Sequence, residues 1–343
     1  MRRHLALVSG VAVAVSVGIA APAVAEPAQL TDLGPLPGEV QAVATGINDS
    51  GVAVGWSAKS SGPTHAVRWN GDGTVVALRM LPTGTSSTAS AINNSGVAVG
   101  QADAGDAGTH AVRWNADGTV VDLGSLPGSR YSRANGINNS GVVVGSATVG
   151  DAFAKHAVRW NSDGTSTDLG VPAGYESSIA DAIADDGTIA GEAIDHDYQH
   201  WHAIRWNTDG TVSDLGTAPG AVWSWARGIN AGGTIVGNSQ TAARKNQATR
   251  WNADGTIATL PTLSGGDNSG ANGINRSGVV VGFSNAAGAP SHAVRWNVDG
   301  TVTDLGVLPG GGDTDAEGVA ADGTIAGSAH VDADGRLHAV RWG

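Results

Sequence analysis

Cysteine is missing altogether from these 343 residues. No disulfide can brace the chain, so a packed core must hold it, and a chain of this length can bury one. Charge is scarce too, at 15% of residues, and 31 acidic residues outnumber 19 basic ones. The basic residues gather into no run or stripe, which argues against nucleic acid and membrane surfaces as partners. Beyond residue 25 no stretch is long and apolar enough to cross a membrane, and no helical periodicity interrupts the pattern.

The first 25 residues differ from all that follows. Arg2 and Arg3 open the chain, Leu5 to Ala21 is an apolar run, and Ala23-Val24-Ala25 supplies a small-residue cleavage site. Residues 1–25 therefore read as a secretory signal peptide. Ser9, Gly10, Ser16 and Gly18 break the run, which is too short for a retained anchor. The Arg pair lacks the rest of a twin-arginine signal. The expected location is secreted, extracellular, and without Arg2 and Arg3 the formal charge is about −14.

What the chain does have is repetition. The tryptophan of an Arg-Trp pair recurs at Trp69, Trp114, Trp160, Trp206, Trp251, Trp296 and Trp342, at spacings of 45, 46, 46, 45, 45 and 46. Around each runs the same phrase: Ala-x-Gly-Ile-Asn, Gly-Val-Val-Val-Gly, a variable stretch, His-Ala-Val-Arg-Trp-Asn, Asp-Gly-Thr and Thr-Asp-Leu-Gly. The apolar pieces are short, β-branched and punctuated by Gly, Asn, Asp or Pro, which predicts four strands, a to d, per unit. In the third unit strand a lies near 134–137, b near 142–146, c at 156–160 and d at 165–169. The nearly constant a–b and c–d links, such as Asn138-Asn139-Ser140-Gly141, suit a type I turn closed by a left-handed glycine.

Residues 26–343 begin with a lone strand d, Leu30-Thr31-Asp32-Leu33-Gly34, and end with a lone strand c, His338-Ala339-Val340-Arg341-Trp342. The two orphans fit one another. The expected fold is all-β, a seven-bladed β-propeller with four antiparallel strands per blade, closed by N-terminal strand d pairing with C-terminal strand c. Its blades fall near 41–78, 86–123, 131–169, 177–215, 223–260, 268–305 and 313–342, the last completed by 30–34. The repeat resembles the extracellular repeats of the HAF family, whose unit runs D-L-G-x-L-G-G, A-x-G-I-N, G-x-V-V-G and H-A-F-x-W. The likeness covers residues 30–342, with Val67 or Ile204 for the Phe, Arg before the Trp, and Leu-Pro-Gly for Leu-Gly-Gly. That resemblance implies export and a β-rich repeat architecture, and no particular reaction.

Residues present in every unit, or in all but one, are most simply structural. His65, His110, His156, His202, His292 and His338 open strand c in six units, Gln247 taking the place in the fifth, and alternation makes His156 a diagonal neighbour of Asp168. Asp122, Asp168, Asp214 and Asp304 therefore read as blade-packing partners. The Asn-x-Asp-Gly turns lack the alternating acidic ladder of a calcium loop. No metal and no cofactor is expected.

Function belongs where the units differ, in the d–a and b–c links on one face. Trp56, Trp201, Trp223 and Trp225 lie outside the repeat position. The fourth unit's b–c link, taken as 192–201, carries Asp195, His196, Asp197, Tyr198, His200 and Trp201. The following d–a link, 221–225, carries Trp223 and Trp225. Tyr131 and Tyr175 come from d–a links of neighbouring sectors. Aromatics beside carboxylates suit stacking on a sugar or other flat ligand; the alternative is that the tryptophans fill a gap between blades. A second feature is the polar x of Ala-x-Gly-Ile, giving a channel ring of Thr45, Ser90, Asn135, Asp181, Arg227, Asn272 and Glu317, with Asp181 and Arg227 placed to pair.

The expectation is a monomeric binding or scaffold protein presenting its variable face to an extracellular small molecule, glycan or protein. The alternative is a lyase, hydrolase or cyclase at the channel mouth, with Asp181, Glu317 or His196 in acid–base roles and Arg227 as anion clamp. A raised carboxyl pKa in a deep pocket would favour that alternative.

Overall fold

The computed structural model describes residues 29–149, 154–195, 200–331 and 335–343, so the leader expected over 1–25 lies outside it. Within these residues the chain forms 28 strands in seven four-stranded antiparallel sheets, and one 3-10 turn at Gly105–Ala107. The architecture is a seven-bladed β-propeller. Six sheets keep chain order, as in blade three: Ser132–Ile137, Val143–Thr148, Lys155–Trp160 and Ser166–Gly170. Blade seven is composite. Its strands Thr314–Val319, Ile325–His330 and Leu337–Trp342 are joined by Leu30–Asp32, which lies antiparallel to Leu337–Trp342 with Thr31 opposite Arg341.

The hairpins form where the sequence supplies Asn early and Gly last. In the a–b link of blade three, Asn138 Oδ1 accepts from the amides of Ser140 and Val142 at 3.1 and 2.9 Å, and Gly141 takes φ 78°. That left-handed conformation suits glycine alone at low cost. The same Asn side chain donates through Nδ2 to the Ala184 carbonyl of blade four at 3.2 Å. One residue thus shapes its own turn and ties two blades together.

The core lies between neighbouring blades. Val99 and Ala111 of blade two pack with Ala134, Val158 and Trp160 of blade three, all 3% exposed or less. The junction of blades seven and one is built alike, Ala326 and Ala339 meeting Ala42, Val67 and Trp69. Five repeat tryptophans also donate their indole N–H to a carbonyl near the end of the preceding strand d, as Trp114 does to Arg79 at 2.7 Å. In these five blades a large ring is buried with its donor satisfied; the Trp206 indole N–H is buried without a partner among the described residues.

Strand a carries a β-bulge in every blade, and the extra residue is the polar x of the motif. A bulge leaves one residue unpaired and re-aims its side chain, here toward the axis. It also brings strand a over the glycine of strand b: a Cβ on Gly145 would sit 1.9 Å from the Arg133 carbonyl oxygen.

Two strand limits differ from expectation in the sector that matters most. Glu192 belongs to strand b of blade four, Ile189–Ile194, and Trp201 opens strand c, Trp201–Trp206, so the link between them is only 195–200. Trp223 and Trp225 lie on strand a of blade five, Ala221–Ile229, which reaches beyond its counterparts through a second bulge between Ala221 and Trp223. The alternation in Ala221-Val222-Trp223-Ser224-Trp225 is itself a β pattern, and it finds a full-length partner in Ile235–Thr241.

Candidate functional site

The repeated polar residues are engaged in holding blades. His110, His156, His292 and His338 place Nδ1 2.9 Å from Asp122, Asp168, Asp304 and Asp32, and His202 lies 2.7 Å from Asp214. His65, whose blade has Ala77 in place of the Asp, turns instead to the buried Glu39 at 2.5 Å. In the c–d turns each aspartate, such as Asp163, accepts from the backbone and hydroxyl of the Thr two residues on, at 2.9 and 2.7 Å.

The exceptional residues converge between blades four and five. A cavity of about 380 Å³ is lined by Glu192 and Trp201 from blade four and by Trp223, Trp225, Arg227, Gln240 and Arg244 from blade five. The repeat tryptophans are 0–5% exposed, whereas these three are only partly buried and belong to none of the apolar core clusters among the described residues. Glu192, by contrast, is 4% exposed, and its Oε2 has no hydrogen-bond partner among the described residues. Burial, with the charge of Asp181 adding to it, pushes its carboxyl up to about 8, while Arg227 and Lys155 pull the other way. Arg244, in the turn between Ile235–Thr241 and Asn246–Trp251, is the one non-glycine residue at positive φ, 60°, among the described residues.

The cavity adjoins the central channel, since Trp225 and Arg227 also line a 510 Å³ space containing Thr45, Ser90, Asn135, Asp181, Asn272 and Glu317. All seven bulge residues therefore meet at the axis. Several of them also bind the next blade: Thr45 donates to the Ala89 carbonyl at 2.9 Å, Asn135 to Ala180 at 3.0 Å and Asn272 to Ala316 at 3.1 Å. Arg227 Nη1 stands 3.9 Å from Asp181 Oδ1. Burial lifts Asp181 to about 6 against the pull of Arg227, and lifts Glu317 to about 6 likewise. Asp315, whose carboxylate accepts from Asn272 at 2.8 Å, is held well above the carboxylate range by burial and by Glu317.

No family model and no curated protein sequence matches the chain. Among solved structures, a catalytically inactive virginiamycin B lyase from Staphylococcus aureus, with quinupristin, aligns with a TM-score of 0.59 and 15% identity over 92% of this chain and 98% of that one. A streptogramin B lyase gives 0.59 at 12% identity over 92% and 98%. Puromycin hydrolase gives 0.55 at 14% identity over 89% of this chain and 54% of that one. The likeness is one of fold.

Of the residues singled out from sequence, Trp201, Trp223, Trp225 and Arg227 share the interblade cavity. His200 binds Asp195 at 2.5 Å on the surface, and neither lines the cavity. His196, Asp197 and Tyr198 lie outside the described residues. Tyr131 sits under Lys155, 5.5 Å from the ring centre, and Tyr175 donates to Asp214 at 2.9 Å and packs on His202. The structure brings neither tyrosine to the cavity, because each finds its partners in the blade beside its own link. Trp56 lies on strand b of blade one, far around the ring. Sequence reasoning passed over Glu192, Gln240 and Arg244. Glu192 had a signal: it follows the strand-b glycine, where the other blades carry Trp56, Gln101, Ser146, Asn238, Phe283 and Ser328. It alone is an acid there.

Proposed function

We propose that this protein is an exported propeller that binds a small extracellular ligand, a sugar or other flat molecule, in the aromatic cavity between blades four and five. One observation carries the reading: three tryptophans outside the repeat converge on a single cavity with a buried carboxyl group whose Oε2 has no hydrogen-bond partner among the described residues. A volume of about 380 Å³ falls within the range of small-molecule sites, and apolar walls with a few convergent polar groups are their usual make-up. Export is supported by the leader-like residues 1–25 and by the resemblance to HAF-type repeats. The test is a glycan and small-molecule screen read by thermal shift, followed by the Trp223→Ala/Trp225→Ala variant. Binding is expected to vanish while stability falls by less than about 2 kcal/mol, against roughly 3–5 kcal/mol for Trp114→Ala. A loss as large as that for Trp114 would make these rings core and defeat the reading.

The buried acids around Arg227 favour a second reading, catalysis at the same place. Glu192, Asp181 and Glu317 have carboxyl groups lifted to about 8, 6 and 6, the range in which an acid can give and take a proton near neutrality. Mass spectrometry of a bound ligand recovered after incubation decides it: an altered ligand supports catalysis, an unchanged one leaves binding alone.

A further inference from the structure

We infer that the interblade cavity selects a ligand joining a flat ring to an anionic group, a uronate-type sugar or an aromatic carboxylate, with Glu192 meeting it as a neutral hydrogen-bond donor. This deepens the proposed binding function and rests on it. Tryptophan faces alone would accept either a cation or a neutral ring. The charged groups decide between them. Two guanidinium groups, of Arg227 and Arg244, line the cavity, and the carboxylate nearest Arg227 is Asp181, 3.9 Å away. Among the described residues no ion pair occupies Arg244. A planar guanidinium matches a carboxylate better than a hydroxyl. Glu192 Oε2 is buried without a hydrogen-bond partner among the described residues, an arrangement that is costly for an ionised oxygen and useful for a protonated one facing a ligand acceptor.

Burial and Asp181 hold the Glu192 carboxyl near 8, and the charged groups facing it from neighbouring strands are Asp181, Arg227 and Lys155. Raising the pH through that value places a second negative charge beside an anionic ligand. Asp181 titrates near 6, below the window in question, so the loss is assigned to Glu192.

Calorimetry on the mature protein would compare digalacturonate with its methyl ester, naphthoate with naphthamide, and tetramethylammonium, at pH 7 and pH 9.5. One acid probe is expected to bind about tenfold tighter than its neutral partner and to weaken about tenfold at pH 9.5. Which acid it is separates sugar from aromatic ligand. Glu192→Gln should flatten the pH response, and Arg244→Ala should erase the preference for acid over ester or amide. Equal or tighter binding of the neutral or ammonium probes, affinity that does not fall with pH, or no acid bound at all overturns the inference. Should a neutral probe bind and Trp223→Ala/Trp225→Ala abolish it, the cavity stands as a ligand site and only its charge preference falls. Undiminished binding by that variant sinks the site itself.

Discussion

A tryptophan means two different things in this chain, and burial tells them apart. At Trp114 the ring is 1% exposed and its N–H is satisfied by Arg79, so it is a wedge between blades. At Trp223 and Trp225 the rings stay partly open over a cavity. Arg244 carries a similar distinction in its backbone. A φ of 60° costs a side-chain-bearing residue on the order of 1–2 kcal/mol, and Arg244 is exposed, so little burial offsets it. Arg244→Gly should therefore leave the protein as stable or up to about 1 kcal/mol more so, while weakening ligand binding in the cavity. Urea unfolding and calorimetry on the same variant check both halves; a clear loss of stability would show that the Arg side chain is there for the fold.

Strand a is the element that makes the ring. Its bulge turns one polar side chain to the axis, its small residues allow crowding, and its terminal Asn reaches the next blade: Asn48 to Asn93, Asn93 to Asn138, Asn138 to Ala184, Asn230 to Asn275 and Asn275 to Ala320, at 3.0–3.3 Å. At its other end Ser132, Ser178, Ser224 and their equivalents accept the amide of strand c in the preceding blade, Ala157 to Ser178 at 2.8 Å for example. Blades four and seven carry Ala184 and Ala320 where the Asn belongs. Ala184→Asn should restore the tie to blade five and an acceptor for the Asp186 amide, the Thr188 amide already donating to Asp186 Oδ1 at 2.8 Å, and so raise stability by about 1 kcal/mol. A higher urea midpoint at unchanged slope is the expected result; a lower midpoint would mean that the site cannot accommodate the amide.

On the scale of the whole molecule, the fold concentrates acids near its axis and disperses others on its turns, with opposite consequences for pH. Glu192, Asp181, Asp315 and Glu317 hold their protons more tightly folded than unfolded. Their burial therefore costs nothing below the unfolded values of 3.8–4.5 and takes stability away as pH rises toward about 8. The turn residues Asp72, Asp117, Asp163, Asp209, Asp254 and Asp299 have carboxyls lowered by Thr hydroxyl and backbone donors. Their contribution is present above 3.8 and is lost as pH falls beneath it. The melting midpoint should peak at about pH 4–6 and decline toward pH 9, with Glu192→Gln removing part of the decline. A midpoint that climbs from pH 6 to 9 would contradict the burial of these acids.

The number of blades, the order of strands within each, the hairpin residues and the His–Asp pairs were legible in the chain, because each depends on a local pattern repeated in most or all of seven units. Repetition turns a weak signal such as Asn-x-Asp-Gly into a firm one. Local pattern reached only part of the cavity: Trp201, Trp223, Trp225 and Arg227 stand out as departures from the repeat, whereas Gln240 and Arg244 do not, and the depth of Glu192 on its strand depends on the blade that covers it. Which side chains face one cleft, and which carboxyl loses its water there, are decided by how one sheet is packed against the next, a relation between units that no single repeat encodes.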